Sequence, residues 1–176
     1  MIQLKNPQQI KEMMEAGRIT GEALLVAREN IREGISTYEL DKIIRNHIEK
    51  SGAKPSFLGY HGFPGSACIS INNEVIHGIP SKRRILFEGD IVKIDVGAYI
   101  GGFHGDSANT FAVGNVSDEA KRLMEVTKES FDSRRHTVSV KVEMSEEICM
   151  NLKGDSEVEI VKLELGKYSS IKMGSK

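Results

Sequence analysis

The chain has 176 residues, enough for one domain with a real core, and its 39% hydrophobic and 28% charged content excludes an extended disordered chain. A formal net charge of −1, with acids and bases interleaved, offers no basic surface, so neither nucleic acid nor an anionic membrane is an expected partner. The opening MIQLKNPQQIKEMMEAG lacks a signal peptide's apolar core, no segment is apolar enough to span a bilayer, and Cys68 and Cys149 alone make no disulfide framework; a cytoplasmic protein with reduced thiols is expected.

Asn6-Pro7 predicts the start of a first helix, a capping side chain followed by Pro at the first helical position, with Ile10, Met13, Met14, Leu24, Leu25 and Ile31 as an approximate apolar stripe up to Gly34. Ser36-Thr37-Tyr38-Glu39 has the capping-box pattern, and Leu40, Ile43, Ile44, His47 and Ile48 follow at helical spacing to a stop at Ser51-Gly52. His47, on the edge of that stripe and without a companion ligand, reads as structural.

In SACISINNEVIHGIP, the runs Ala67 to Ile71 and Glu74 to Ile79 flank Asn72-Asn73, a pair that tolerates positive φ, and predict a hairpin that sets His77 directly across from Cys68. A Cys–His pair can make a nucleophile, but no orienting group or oxyanion hole is visible, and a cysteine packed beside a histidine in a pocket wall is the preferred reading. Lys82-Arg83-Arg84 reads as solvated surface, and Phe87-Glu88-Gly89-Asp90 as a turn.

IVKIDVGAYIGGFHGDSANTFAV, residues 91–113, then predicts a second hairpin turning at Ile100-Gly101-Gly102, with an aspartate in the middle of each strand. If the turn centres between Ile100 and Gly101, Asp95 lies directly across from Asp106. Like charges so placed destabilise a sheet unless they share a proton or hold cations, and carboxylates suit hard divalent ions. A register shifted by one or two leaves them as unrelated polar positions. Ser117 caps a third helix with Ala120, Leu123, Met124, Thr127 and Phe131 along one face. The expected class is α+β, helices on one face of an antiparallel sheet. From Asp132 the pattern weakens: Val138, Val140, Val142 and Met144, then Val158, Ile160, Leu163 and Leu165, alternate as strands do, while Glu143, Glu146, Glu147, Asp155 and Glu157 make no ligand spacing.

GYHGFPGSACISINNEVIHGIPS followed by EGDIVKIDVGAYIGGFHGDSANTFAVG closely resembles the type I methionine aminopeptidases, metalloenzymes with the pita-bread fold, over residues 1 to about 131. The resemblance implies the N-terminal half of that fold as a domain over residues 1–131, with 132–176 a divergent tail, out of frame or disordered. It implies that Asp95 and Asp106 are ligands of a dinuclear centre of Co, Mn, Fe(II) or Zn. It implies that His77 is the catalytic histidine near the scissile peptide, and that Tyr60, His61, Phe63 and Cys68 line a methionine pocket. The implied activity is hydrolytic removal of the initiator methionine from nascent Met-X chains, near the ribosome, by a cytoplasmic monomer. The family's remaining His and Glu ligands sit in motifs of the Gly-His-Gly-Ile-Gly, Thr-Ile-Glu-Pro and Glu-His-Thr-Val type, which the sequence lacks; Arg135-His136-Thr137-Val138 echoes the last with arginine at the glutamate's place. A frameshift or truncation near codon 131 is therefore expected, with weak metal binding. The alternatives to an active enzyme are a catalytically dead remnant and a non-catalytic peptide-binding module.

Overall fold

The computed structural model describes residues 4–132, 158–161 and 170–173. The chain divides into two compact units, Met1–Ser117 and Asp118–Lys176. The first contains helices α1 (Pro7–Asn30) and α2 (Thr37–Lys50) and strands β1 (Lys54–Pro55), β2 (Ala67–Ile71), β3 (Ile91–Ile100) and β4 (Phe103–Ala112). The second contains α3 (Asp118–Asp132) and a separate antiparallel pair, β5 (Val158–Val161) with β6 (Ser170–Met173).

Both helix starts form as their sequences dictate. The Asn6 side chain accepts from the Gln9 amide at 2.9 Å while Gln9 Oε1 accepts from the Asn6 amide at 3.0 Å, and Ser36 with Glu39 repeats the reciprocal arrangement on α2. The buried face of α1 differs from the expected stripe. Ala16, Ile19, Thr20, Ala23, Leu24 and Ala27 are buried, whereas Ile10, Met13, Met14 and Leu25 are exposed. Close packing is the reason. A Cβ on Gly105 of β4 would lie 2.3 Å from the Ala16 carbonyl oxygen, so helix and sheet meet backbone to backbone and only small side chains fit between. Thr20 Oγ1 and Ser107 Oγ, 2.8 Å apart, satisfy each other across the same seam.

The sheet is antiparallel around β3, which pairs with β2 and, beyond its end, with β1 on one side and with β4 on the other. Alternate residues of β3, namely Val92, Ile94, Val96 and Ala98, point into a core shared with Ile69, Ile44, Ile48 and α1. Each of the larger of these contributes about 1.5–3 kcal/mol by leaving water. The helices therefore cover one face of the sheet, as expected for the α+β class, and Lys93, Asp95, Gly97 and Tyr99 belong to the other.

Two expectations of pairing are corrected. Gly101 and Gly102 themselves form the turn, at φ 59° and 86°, so Ile100 pairs with Phe103, Asp95 faces Ala108 and Asp106 faces Gly97. Two consecutive positive-φ residues give the turn a twist matched to the strands, and glycine adopts it without strain. The first expected hairpin does not close either. Asn72 does take positive φ (50°), but β2 gives its ladder to β3, and residues 72–80 return as a loop that touches β2 through Glu74 at Ile71 and through Gly78 at Ile69 and Ser70. Cys68 is thus opposite Asp95, not His77.

Within the second unit, α3 starts directly after Ser117, with Asp118 and Glu119 in its first turn where carboxylates favour the helix dipole. Val158 and Ile160 lie in β5 as their alternation suggests; the expected strand around Val138–Met144, Leu163, Leu165, the Arg135–Val138 echo, Cys149 and the acids from Glu143 to Glu157 lie outside the described residues.

Candidate active site

The shift of register by two preserves parity, so Asp95 and Asp106 still share the helix-free face, as diagonal rather than direct neighbours. Diagonal Cβ atoms in a sheet stand roughly 7–8 Å apart, within reach of two short side chains leaning together. They do converge: the Asp95 carboxyl titrates above its ordinary 3.8, first because it is partly buried, then because the Asp106 charge repels it and because the protonated Asp95 carboxyl donates a hydrogen bond to Asp106. Asp95 is half-buried and Asp106 exposed. The His77 charge opposes the rise, so its imidazole lies within electrostatic reach of Asp95, although it belongs to the loop after β2.

Cys68 completes the group from β2. Its thiol is pushed up to about 11, by burial first and then by the charges of Asp95, Asp106 and Asp41. A thiol so placed is no nucleophile at neutral pH, which removes the Cys–His nucleophile reading on chemistry as well as register.

His77 is held in the left-handed region at φ 60°, an uncommon conformation for a residue with a β-carbon. Next to it, Gly78 donates to Ser70 Oγ at 3.0 Å and accepts from the Ile69 amide at 2.8 Å. Only glycine fits, because a Cβ there would lie 2.1 Å from the Ile69 carbonyl oxygen.

The expected pocket aromatics lie on the segment after β1. Tyr60–Gly62 forms a 3-10 turn closed by Phe63 donating to the Tyr60 carbonyl, His61 sits at φ 46°, and the Tyr60 and His61 rings meet edge-on at 4.4 Å. Phe63 is half-buried, whereas Tyr60 and His61 are exposed. The turn is moored to the site face through Ser56, which donates to the Gly97 carbonyl at 2.9 Å, and through Phe57, whose ring occupies the space a Cβ on Gly97 would need. Since Gly97 is opposite Asp106, Phe57 lies on the face that carries the carboxylates.

Two further residues were not legible as site components. Buried Asp41 of α2 accepts from the amides of Ser66 and Ala67 at 2.7 and 2.9 Å, fixing the start of β2 one residue before Cys68, and its carboxyl is raised by burial against the lowering effect of those bonds. A carboxylate beside Leu40 on the apolar face of α2 was the signal. Arg84, read as part of a solvated basic run, instead donates to the carbonyls of Ile69 and Ile79 and to Glu74, whereas Lys82 and Arg83 are exposed as expected.

A divalent cation is the group that this donor set suits in kind: two hard carboxylates whose mutual repulsion a cation would relieve. In number the set is partial, since among the described residues no cluster of three or more His, Cys, Asp or Glu could hold a metal.

Comparison with known proteins agrees with this architecture. The sequence profile of metallopeptidase family M24 matches residues 11–146. The methionine aminopeptidase of Clostridium acetobutylicum is 52% identical over 131 residues, covering 74% of this chain and 52% of that protein, and methionine aminopeptidase 1 of Bacillus subtilis is 52% identical over 130 residues with the same coverage. Among solved structures, the Thermotoga maritima methionine aminopeptidase superposes with a TM-score of 0.74 at 35% identity, over 81% of this chain and 57% of that one, and the Rickettsia prowazekii enzyme with 0.75 at 29%, over 99% and 75%. The antiparallel sheet with helices on one face is the N-terminal half of the pita-bread class. The chain belongs to metallopeptidase family M24. It spans about half the length of the curated relatives it matches.

Proposed function

We propose that this chain carries the N-terminal half of a methionine aminopeptidase site, which removes methionine hydrolytically from the N-terminus of nascent Met-X chains. The observation that carries the reading is the convergence of Asp95 and Asp106, with His77 beside them and Cys68 across the strand, on the face the helices leave open. Asp95 and Asp106 hold divalent metal, Co, Mn, Fe(II) or Zn. When bound, such a cation polarises the peptide carbonyl and lowers the pKa of water. His77 donates a hydrogen bond to the developing charge on the scissile carbonyl. Tyr60, His61, Phe63 and Cys68, joined by Phe57, form the apolar and sulfur-lined pocket for the methionine side chain. The neutral Cys68 thiol suits that role, because a thiolate would repel a thioether's lone pairs.

The working partner is the emerging N-terminus of a protein at the ribosome, in the cytoplasm, met by a monomer with no affinity for nucleic acid. The functional domain is residues 1–131, and 132–176 is a tail outside it. Two carboxylates bind metal weakly when affinity depends on ligand number, so turnover by the chain alone is low. That the ligand set is partial among the described residues favours one second reading, a peptide-binding module that retains the pocket without turnover. Methionine release from a Met-Ala-Ser peptide by the purified chain with added Mn or Co, beside an Asp95→Ala control, distinguishes them. Release lost in the control supports catalysis. Retention of the peptide by the folded chain with no release supports the binding module, and release undiminished by Asp95→Ala refutes the assigned site.

A further inference from the structure

His77 stands on a loop that has little to hold it. Val75 and Ile76, immediately before it, are 80% and 67% exposed, so no buried apolar side chain anchors this side of the loop. Yet the residue beside it, Gly78, is bonded to Ile69 and Ser70 of β2, the strand that pairs with Asp95 on β3, and the imidazole lies within electrostatic reach of that carboxyl. Two polar tethers do the work: Gly78 against Ile69 and Ser70, and Arg84 on the far side.

The guanidinium of Arg84 donates to the Ile69 carbonyl at 3.2 Å, to the Ile79 carbonyl at 2.9 Å and to the Glu74 carboxylate. Those acceptors lie on β2 and on both flanks of His77. The Glu74 oxygen that receives Arg84 also accepts from the Ile71 amide at 2.9 Å, and the Glu74 amide donates to the Ile71 carbonyl at 3.0 Å, so the pair closes the loop onto the end of β2. A planar, multi-donor group suits this, since a lysine ammonium at the same place is a point charge without the fixed fork.

We propose that Arg84, through Glu74 and the carbonyls of Ile69 and Ile79, is a positioning residue that holds the His77 imidazole against the Asp95–Asp106 pair. It touches neither substrate nor metal. The inference rests on the proposed function for the meaning of the pair, and its test separates the two. Substoichiometric Mn²⁺ is added to the full chain labelled at histidine, and paramagnetic broadening is read at the ring protons of His77 and of His104, which stands on β4 next to the pair but is held by the sheet rather than by the loop. In the wild type both broaden, and Asp95→Asn abolishes both. Arg84→Ala removes most of the His77 broadening and leaves that of His104, whereas Arg83→Ala changes neither. Glu74→Ala, which opens the clasp from its other end, reproduces the Arg84→Ala result if that variant is poorly folded. Unchanged His77 broadening in both clasp variants, or loss in step with His104, overturns the positioning role; absence of any broadening in the wild type overturns the metal-site reading instead.

Discussion

Asp95→Asn is expected to stabilise the metal-free protein at neutral pH and to make it less stable than the wild type once a divalent cation is present. Asp95 is partly buried beside the Asp106 carboxylate, and both circumstances disfavour its ionisation. The folded protein therefore binds this proton more tightly than the unfolded chain does. As pH climbs from the ordinary value of 3.8 through the raised pKa of Asp95, the folded state carries the excess of protons, and stability falls across that window. Above it the wild type bears the full repulsion; asparagine bears none. Like-charged neighbours across strands cost roughly 0.2–1 kcal/mol, and each kcal/mol moves the melting temperature of a domain this size by about 2–4 °C. A rise of up to about 4 °C in EDTA at pH 7 is expected from these figures, shrinking toward zero below pH 4. A cation that binds only the folded state adds about 2.7 kcal/mol at a hundredfold excess over its Kd, more than the repulsion removed, so saturating Mn²⁺ inverts the order of the two proteins. Scanning fluorimetry from pH 4 to 8, in EDTA and in Mn²⁺, reads both effects. An Asp95→Asn protein that melts below the wild type in EDTA throughout that range would refute the argument that the two carboxylates burden each other.

With its thiol pushed up to about 11 and its side chain buried, Cys68 in a Cys149→Ser background is expected to react with iodoacetamide at pH 8 roughly a hundredfold more slowly than an ordinary cysteine of pKa ≈ 8.5; intact-mass time courses measure this, and a rate near that of free cysteine would refute the burial and charge assigned to it. Asp41→Ala strands the amides of Ser66 and Ala67 in the core at ~1–3 kcal/mol each, so a loss of about 2 kcal/mol or more is expected in urea unfolding, and an unchanged midpoint would show that these bonds are replaceable.

What could be read from the sequence was what depends on neighbours along the chain. Asn6-Pro7 and Ser36 with Glu39 announced two helices because a cap is a contract over three residues. Asp95 and Asp106 announced themselves as charges inside apolar strands. The turn register differs by two from the expected one because Gly101 and Gly102 make the bend alone and leave Ile100 in the strand. The loop of His77 alternates as a strand does, and local alternation cannot say that β3, some twenty residues on, is the better partner for β2. On α1 the large apolar residues look more like core than Ala16, Ala23 and Ala27 do, and only the bare backbone of Gly105 makes the small ones necessary. Arg84 carried no sequence signal at all: its acceptors are backbone carbonyls and a glutamate that the folded loop gathers.

The parity of the β3–β4 hairpin also bears on how this stretch of gene can change. Side chains alternate between faces with a period of two, so one codon deleted between Phe103 and Gly105, with the turn and the ladder kept, would set Asp106 in the place of Gly105, against the backbone of Ala16, where even the β-carbon of alanine has no room. A residue added at the Gly101-Gly102 tip itself can be taken up by a three-residue loop that leaves Ile100 paired with Phe103, so the tip tolerates changes of length that the strands beside it do not.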